Sequence, residues 1–149
     1  MVFSGVWSLD SYGQAVKNSV LRALTSGWTL SGIVSYQTGQ PFTPNVNSDL
    51  NNDGNATNDI APGFRRNSFR YPTQFSVDPR ITRDIALVAG TKLTLIAEAF
   101  NVLNKHNVTS VNRTYYSFAN NTFTPLVAFG TPTSTLGQRV VQLAGKVSF

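Results

Sequence analysis

The chain has 149 residues, room for one domain, and is 41% hydrophobic but only 13% charged, where about a quarter charged is usual for a soluble domain. It carries no Cys, which excludes disulfides and thiolate metal sites, and no run approaches the ~18 apolar residues of a membrane helix, so any bilayer would have to be crossed by strands. Its net charge is +5, yet no aromatic-basic motif accompanies the charge, and no nucleic-acid partner is expected.

Taken in chain order, the first predicted strand spans about 2–8, with Phe3, Gly5 and Trp7 alternating with Val2, Ser4 and Val6. These opening residues lack a basic region, a long apolar core and a small-residue cleavage site, so Met1 is read as an internal start and the chain as a fragment. Asp10 to Gly27 holds a weakly helical stretch, Ser19 to Leu24, ended by Gly27. The clearest strand follows at about 27–38, where Trp28, Leu30, Gly32, Val34 and Tyr36 alternate with Thr29, Ser31, Ile33, Ser35 and Gln37. From Trp28 to Tyr36 a tilted strand climbs roughly 20 Å, close to the ~25 Å apolar band between the two aromatic girdles of a membrane barrel.

A long connection rich in Asn, Ser, Thr, Pro and Gly covers about 39–73. A strand over about 74–88 places Phe75, Val77, Ile81, Ile85 and Leu87 on one parity and Ser76, Asp78, Arg80, Thr82 and Asp84 on the other. Pro79 inside it removes a ladder donor, which a central strand accepts at a bulge. Val88 to Thr91 is a tight turn into a strand over about 91–103, where Leu93, Leu95, Ala97 and Ala99 alternate with Lys92, Thr94, Ile96 and Glu98. After a second long connection, about 104–138, the last strand (139–149) carries Val141, Leu143, Gly145, Val147 and Phe149 on its apolar parity up to the final residue.

The fold class that follows is all-β, an antiparallel meander of about five transmembrane strands. If the C-terminus is periplasmic, both long connections are extracellular, both shorter ones are periplasmic, and Trp7 and Trp28 share one interface. Outer-membrane lipid is then the first partner, and the bacterial outer membrane the location.

Several stretches together resemble the C-terminal barrel portion of the TonB-dependent outer-membrane receptors, of the large Oar-like type with a carboxypeptidase-regulatory-like domain. They are Phe3 to Trp7, Val20 to Leu24, Gly27 to Ile33, Ser35 to Phe42, Arg66 to Arg70, Ala97 to Asn104 and Gln142 to Phe149, in family order over nearly the whole chain. The resemblance implies a barrel of about 22 strands around an N-terminal plug, energised by the TonB system through an N-terminal part this sequence does not contain. It also implies that Val141, Leu143, Gly145, Val147 and Phe149 form the signal read by the barrel assembly machinery. Five strands cannot close around a lumen, so substrate uptake is expected only in the full-length protein.

Asp49, Asn51, Asp53, Asn55 and Asp59, with Gly54 at the turn, resemble a Ca²⁺ loop in spacing, although Ile60 stands where a bidentate Glu is wanted. Asn and Asp also populate turns by bonding their own backbone. Trp7, Trp28 and Tyr36 read as membrane-interface aromatics. Asp78, Arg80, Asp84, Lys92 and Glu98 read as cross-strand pairs in a wet lumen, and Arg65, Arg66 and Arg70 as solvated loop charges. His106 stands without a nucleophile, second His or carboxylate pair, so no enzyme and no cofactor other than Ca²⁺ is expected. The alternative from another class is a soluble β-sandwich or adhesin-like binding module with a Ca²⁺-binding loop.

Overall fold

The computed structural model describes residues 1–10 and 15–149. In chain order its strands are β1 (Val2–Ser8), β2 (Trp28–Gln37), β3 (Pro41–Phe42), β4 (Asn45–Val46), β5 (Phe69–Arg70), β6 (Gln74–Ala86), β7 (Lys92–Phe100), β8 (Val108–Val111), β9 (Thr114–Ala119), β10 (Thr122–Pro125), β11 (Pro132–Thr135) and β12 (Val140–Ser148). A short helix, α1 (Ser19–Thr25), precedes β2. The contacts divide the chain into two units: Met1–Tyr36, Phe75–Lys105 and Gly137–Phe149 in one, Gln37–Gln74 and His106–Leu136 in the other.

The first unit is one sheet in the order β1, β2, β6, β7, β12, so each long strand lies beside the next long strand in the chain. The register pairs Trp7 with Leu30, Ile81 with Ala97, and Ala97 with Leu143, all antiparallel. Between β2 and β6, the Gly27 carbonyl accepts from Asp84 N at 2.8 Å, and a Cβ on Gly32 would stand 3.5 Å from the Pro79 Cα, which sets those two strands antiparallel as well. Residues opposed in such pairs share a face. Phe3, Trp7, Leu30, Val34, Ile81, Leu95, Leu143 and Val147 therefore line one side, and Ser4, Ser31, Arg80, Asp84, Glu98, Gln142 and Lys146 the other.

No hydrophobic side chain of this sheet is buried among the described residues. Leu95 is 44% and Leu143 79% exposed. A sheet in water must lay its apolar face on a second layer, and this one has none within the described residues. A sandwich with strand faces packed on one another, the alternative expected above, is thus not the arrangement this sheet adopts.

Pro79 sits in the middle of β6 without ending it. The Cα register of β6 with β7 stops at Arg80 opposite Glu98, one residue after the proline, and the pairing is then made differently. Val102 N donates to Val77 O at 3.0 Å, and Asn101 N donates to the Asp78 carboxylate at 2.7 Å. The missing proline N–H thus falls where the ladder is already interrupted. On the other end of the hairpin, Val88–Gly90 is a single 3₁₀ turn, with Gly90 at φ 77°.

The second unit departs from expectation. The two long connections are not separate irregular loops; β4 pairs in parallel with β9, while β3 with β5 and β8 with β11 pair antiparallel. The buried hydrophobics Phe42, Val46, Ala61, Val108 and Val111 all lie here. Phe69, Tyr71 and Phe129 pack against Phe42, Val108 and Val111, with ring centroids 4.8 Å apart for Phe42 and Tyr71 and 5.0 Å for Phe69 and Phe129. These aromatics follow no strand or helix period, and only folding brings them together. Offset and edge-on ring pairs add ~0.5–1.5 kcal/mol each beyond their area burial.

Gly39 is the tightest point of this unit. A Cβ there would stand 1.5 Å from the Tyr71 carbonyl oxygen, while Tyr71 N donates to Gln40 O at 2.9 Å and holds the two segments together. Gly39→Ala is expected to lower stability by ~1–3 kcal/mol, read as a lower denaturant midpoint with hydrogen exchange accelerated first at Gln40, Phe42 and Tyr71.

Candidate functional site

The polar face of the sheet carries the charged side chains in rows. Arg80, Glu98 and Gln142 stand opposite one another on β6, β7 and β12. The Gln142 side-chain amide donates to the Glu98 carboxylate, and the Arg80 guanidinium lies 3.8 Å from it. Nearer the hairpin turn, Asp84 accepts from Lys92 Nζ at 2.9 Å and from Thr94 Oγ1 at 2.6 Å. Of the five charges expected to pair, these four do; Asp78 instead accepts from Ser76 Oγ at 2.6 Å and from Asn101 N. The pairs are half exposed, so each contributes only ~0.2–1 kcal/mol; their chemical consequence is a wettable face of mixed charge opposite an apolar one.

Asn101 is a structural residue that the period-two pattern does not single out. It adopts φ 49° just past the end of β7 and is buried. Its side-chain oxygen accepts from Lys105 N, and its side-chain nitrogen donates to the carbonyls of Lys105 and Gly137. Asn104, at φ 51°, accepts from Arg139 N at 3.1 Å. The pair of left-handed asparagines thereby turns the chain out of β7 and fixes where β12 begins; Asn is the non-glycine residue best suited to that conformation.

Of the interface aromatics, Trp7 and Trp28 lie at one end of the sheet and Tyr36 toward the other. The Trp28 indole N–H donates to the Leu24 carbonyl at 2.9 Å. Arg83 was not singled out by the sequence reading: it falls on the apolar parity of β6, between Ile81 and Ile85, opposite Leu95. It lies 5.1 Å over the Trp28 ring and donates to the Ala23 carbonyl at 2.6 Å. A lone cation on an apolar parity at a strand end is the signal that would have found it.

The five residues with Ca²⁺-loop spacing are drawn together, but by the loop's own donors. Asp49 accepts from Asp53 N and Gly54 N, Asn51 from Asp53 N, and Asn55 from Thr57 N. Asp59 accepts from Leu50 N at 2.6 Å. Asp53 accepts from the Asn58 amide at 2.6 Å and from Asn55 N at 2.9 Å. Those bonds, the Asn58 one first, hold the Asp53 carboxyl below its ordinary pKa. No group of three or more His, Cys, Asp or Glu converges among the described residues. Arg65, Arg66 and His106 are exposed, while Arg70 donates to the Gly39 carbonyl at 3.2 Å.

The assembly-signal residues lie on a sheet edge. β12 pairs with β7 from Val140 opposite Phe100 to Ser148 opposite Lys92, and its other side carries no strand among the described residues. Val141, Leu143, Gly145 and Val147 share its apolar face, and Phe149 follows the strand fully exposed.

A family model described as an outer membrane beta barrel domain matches residues 1–63, which cover β1, α1, β2, β3 and β4. This is a strand-built protein of the bacterial outer membrane. No curated protein and no solved structure matches the chain. The match agrees with a sheet whose apolar face is left without a protein layer.

Two outcomes follow for this outer-membrane protein. Asn101→Ala strands the Lys105 N–H and the Gly137 carbonyl and should cost ~1–3 kcal/mol, read as earlier unfolding of the sheet in a denaturant series. The Asp53 contribution to loop order is present above pH ~4 and is lost as pH falls through its depressed folded value; amide exchange at Asn55 should accelerate there, and Asp53→Asn should remove that pH dependence.

Proposed function

We propose that the chain is a barrel segment of a TonB-dependent outer-membrane receptor that takes up substrate in the context of the full-length protein. The observation that carries this reading is the five-stranded up-and-down sheet with a lipid-suited face, a wettable face and, among the described residues, free edges at β1 and β12. Unpaired edges cannot remain open in hydrocarbon, because each unmet N–H or C=O there costs several kcal/mol. Further strands of the same barrel on both sides answer that requirement. The type of receptor is supported by the residue resemblance that runs from Phe3 to Phe149.

In this reading the Arg80, Glu98 and Gln142 row lines the lumen, and the chain is not an enzyme. The two long connections are extracellular and the chain end is periplasmic. The β12 residues Val141, Leu143, Gly145, Val147 and Phe149 engage the assembly machinery, and TonB acts through the N-terminal part. The Asp49 to Asp59 loop holds itself by Asx-type turns and needs no ion in this scheme.

Deleting the gene should abolish energy-dependent accumulation of one nutrient, and deleting TonB should give the same loss. The protein should also migrate faster on gels without boiling, as closed barrels do. Uptake unaffected by loss of TonB would overturn the receptor type while leaving the barrel in place.

A further inference from the structure

The helix α1 is fastened to the lipid-suited side of the sheet. Asn18 caps its start, accepting from Val20 N at 2.9 Å and Leu21 N at 3.2 Å. At its other end the Ala23 and Leu24 carbonyls are taken by Arg83 and by the Trp28 indole. Both of those side chains belong to the apolar parity of their strands, so the helix end that they hold lies on that side. A cation at a helix C-terminus also suits the helix dipole.

At ~100° per residue, Ala23, Val20, Leu24 and Leu21 fall on one arc of the helix and Thr25, Arg22 and Ser19 on the other. None of the seven residues of the helix is buried; Val20 is 66%, Leu21 51% and Leu24 55% exposed. Three large apolar side chains thus stand bare beside Trp7 and Trp28, at the end of the sheet where a barrel meets the headgroups. Lys17, Arg22 and Arg83 are the basic residues around it, the Asp10 carboxylate accepts from Gly27 N at 2.6 Å just past its end, and no acidic residue stands in the first turn.

We propose that α1 is an interfacial membrane anchor, with Val20, Leu21 and Leu24 seated in the acyl and headgroup boundary of a phospholipid leaflet. The occupant follows from continuity with the lipid-suited face through Trp28 and Arg83, and from basic charge that complements anionic headgroups. It is a docking of the connection itself onto lipid, beyond the crossing of the bilayer by the strands, and it rests on reading the Leu95 and Leu143 face as the lipid face.

The chain has no Cys, so single-cysteine variants can report each position. Val20→Cys, Leu21→Cys, Leu24→Cys, Ser19→Cys and Thr25→Cys, with Leu143→Cys and Gln142→Cys as references, would carry a polarity-sensitive fluorophore in the full-length protein. Vesicles of phosphatidylethanolamine and phosphatidylglycerol would contain a lipid quencher near the headgroups or deep in the chains, and iodide would probe from water. Labels at 20, 21 and 24 should be quenched several-fold more by the shallow lipid quencher than labels at 19 and 25, which should favour iodide. Strong iodide quenching at all five helix positions overturns the anchor, and so does protection of 20, 21 and 24 from every quencher, the sign of a covering protein. If the deep lipid quencher reaches Leu143→Cys but neither lipid quencher reaches the labels at 20, 21 and 24, the anchor alone fails; if the deep quencher does not reach Leu143→Cys, the lipid face fails with it.

Discussion

The backbone ladder of the five-stranded sheet is the constraint on which the rest depends. Once strands pair in register, alternate side chains must go to opposite faces, and the spacing that sends Leu30, Ile81, Ala97 and Leu143 to one side sends Ser31, Arg80, Glu98 and Gln142 to the other. In water such a sheet would need a second layer over its apolar face. In a bilayer lipid supplies that layer, and the requirement moves to the backbone, whose every polar group must be paired inside the protein. The same sheet is therefore complete on its faces and incomplete at its edges.

The apolar packing of the described residues is concentrated elsewhere. Phe42, Val108, Val111 and their aromatic neighbours form a small core within the unit made of the two long connections. That unit obeys the ordinary rules of a water-soluble fold, with an apolar centre, ring pairs and turns satisfied by Asn and Asp. One chain thus treats apolar surface in two ways: a sheet face left without a protein layer among the described residues, and an aromatic core in the connections. The polar composition of the connections conceals the second, since Asn, Ser and Thr outnumber the aromatics that do the packing.

Junctions between regular strands and their connections rest on single residues. Asn101 ends β7 by adopting a left-handed backbone and spending its amide on Lys105 and Gly137. Pro79 is tolerated because Asp78 and a shifted bond from Val102 take over where its N–H is missing. Arg83 joins strand, helix and Trp28 at the opposite end. Asn101 and Pro79 lie where backbone groups lose their ladder partners and need a side chain instead, whereas Arg83 stands inside a continuous ladder and serves a carbonyl at the helix end.

By itself the sequence determined what is local and periodic. Alternation marks strands at about 27–38 and 91–103, and the structure has them at Trp28–Gln37 and Lys92–Phe100, shorter because Gly27 and Asn101 turn the chain. The face of Trp7 and Trp28 and the set of charges among which pairs would form were legible for the same reason, since period two needs no knowledge of distant residues; which of them pair, Arg80 with Glu98 and Asp84 with Lys92, came from the strand register. Only the tertiary structure decided that β4 lies parallel to β9, that Phe42 meets Phe129, and that Arg83 closes over Trp28. Those contacts join residues far apart in the chain, with no repeating interval between them, so they depend on the three-dimensional path that the ladder imposes.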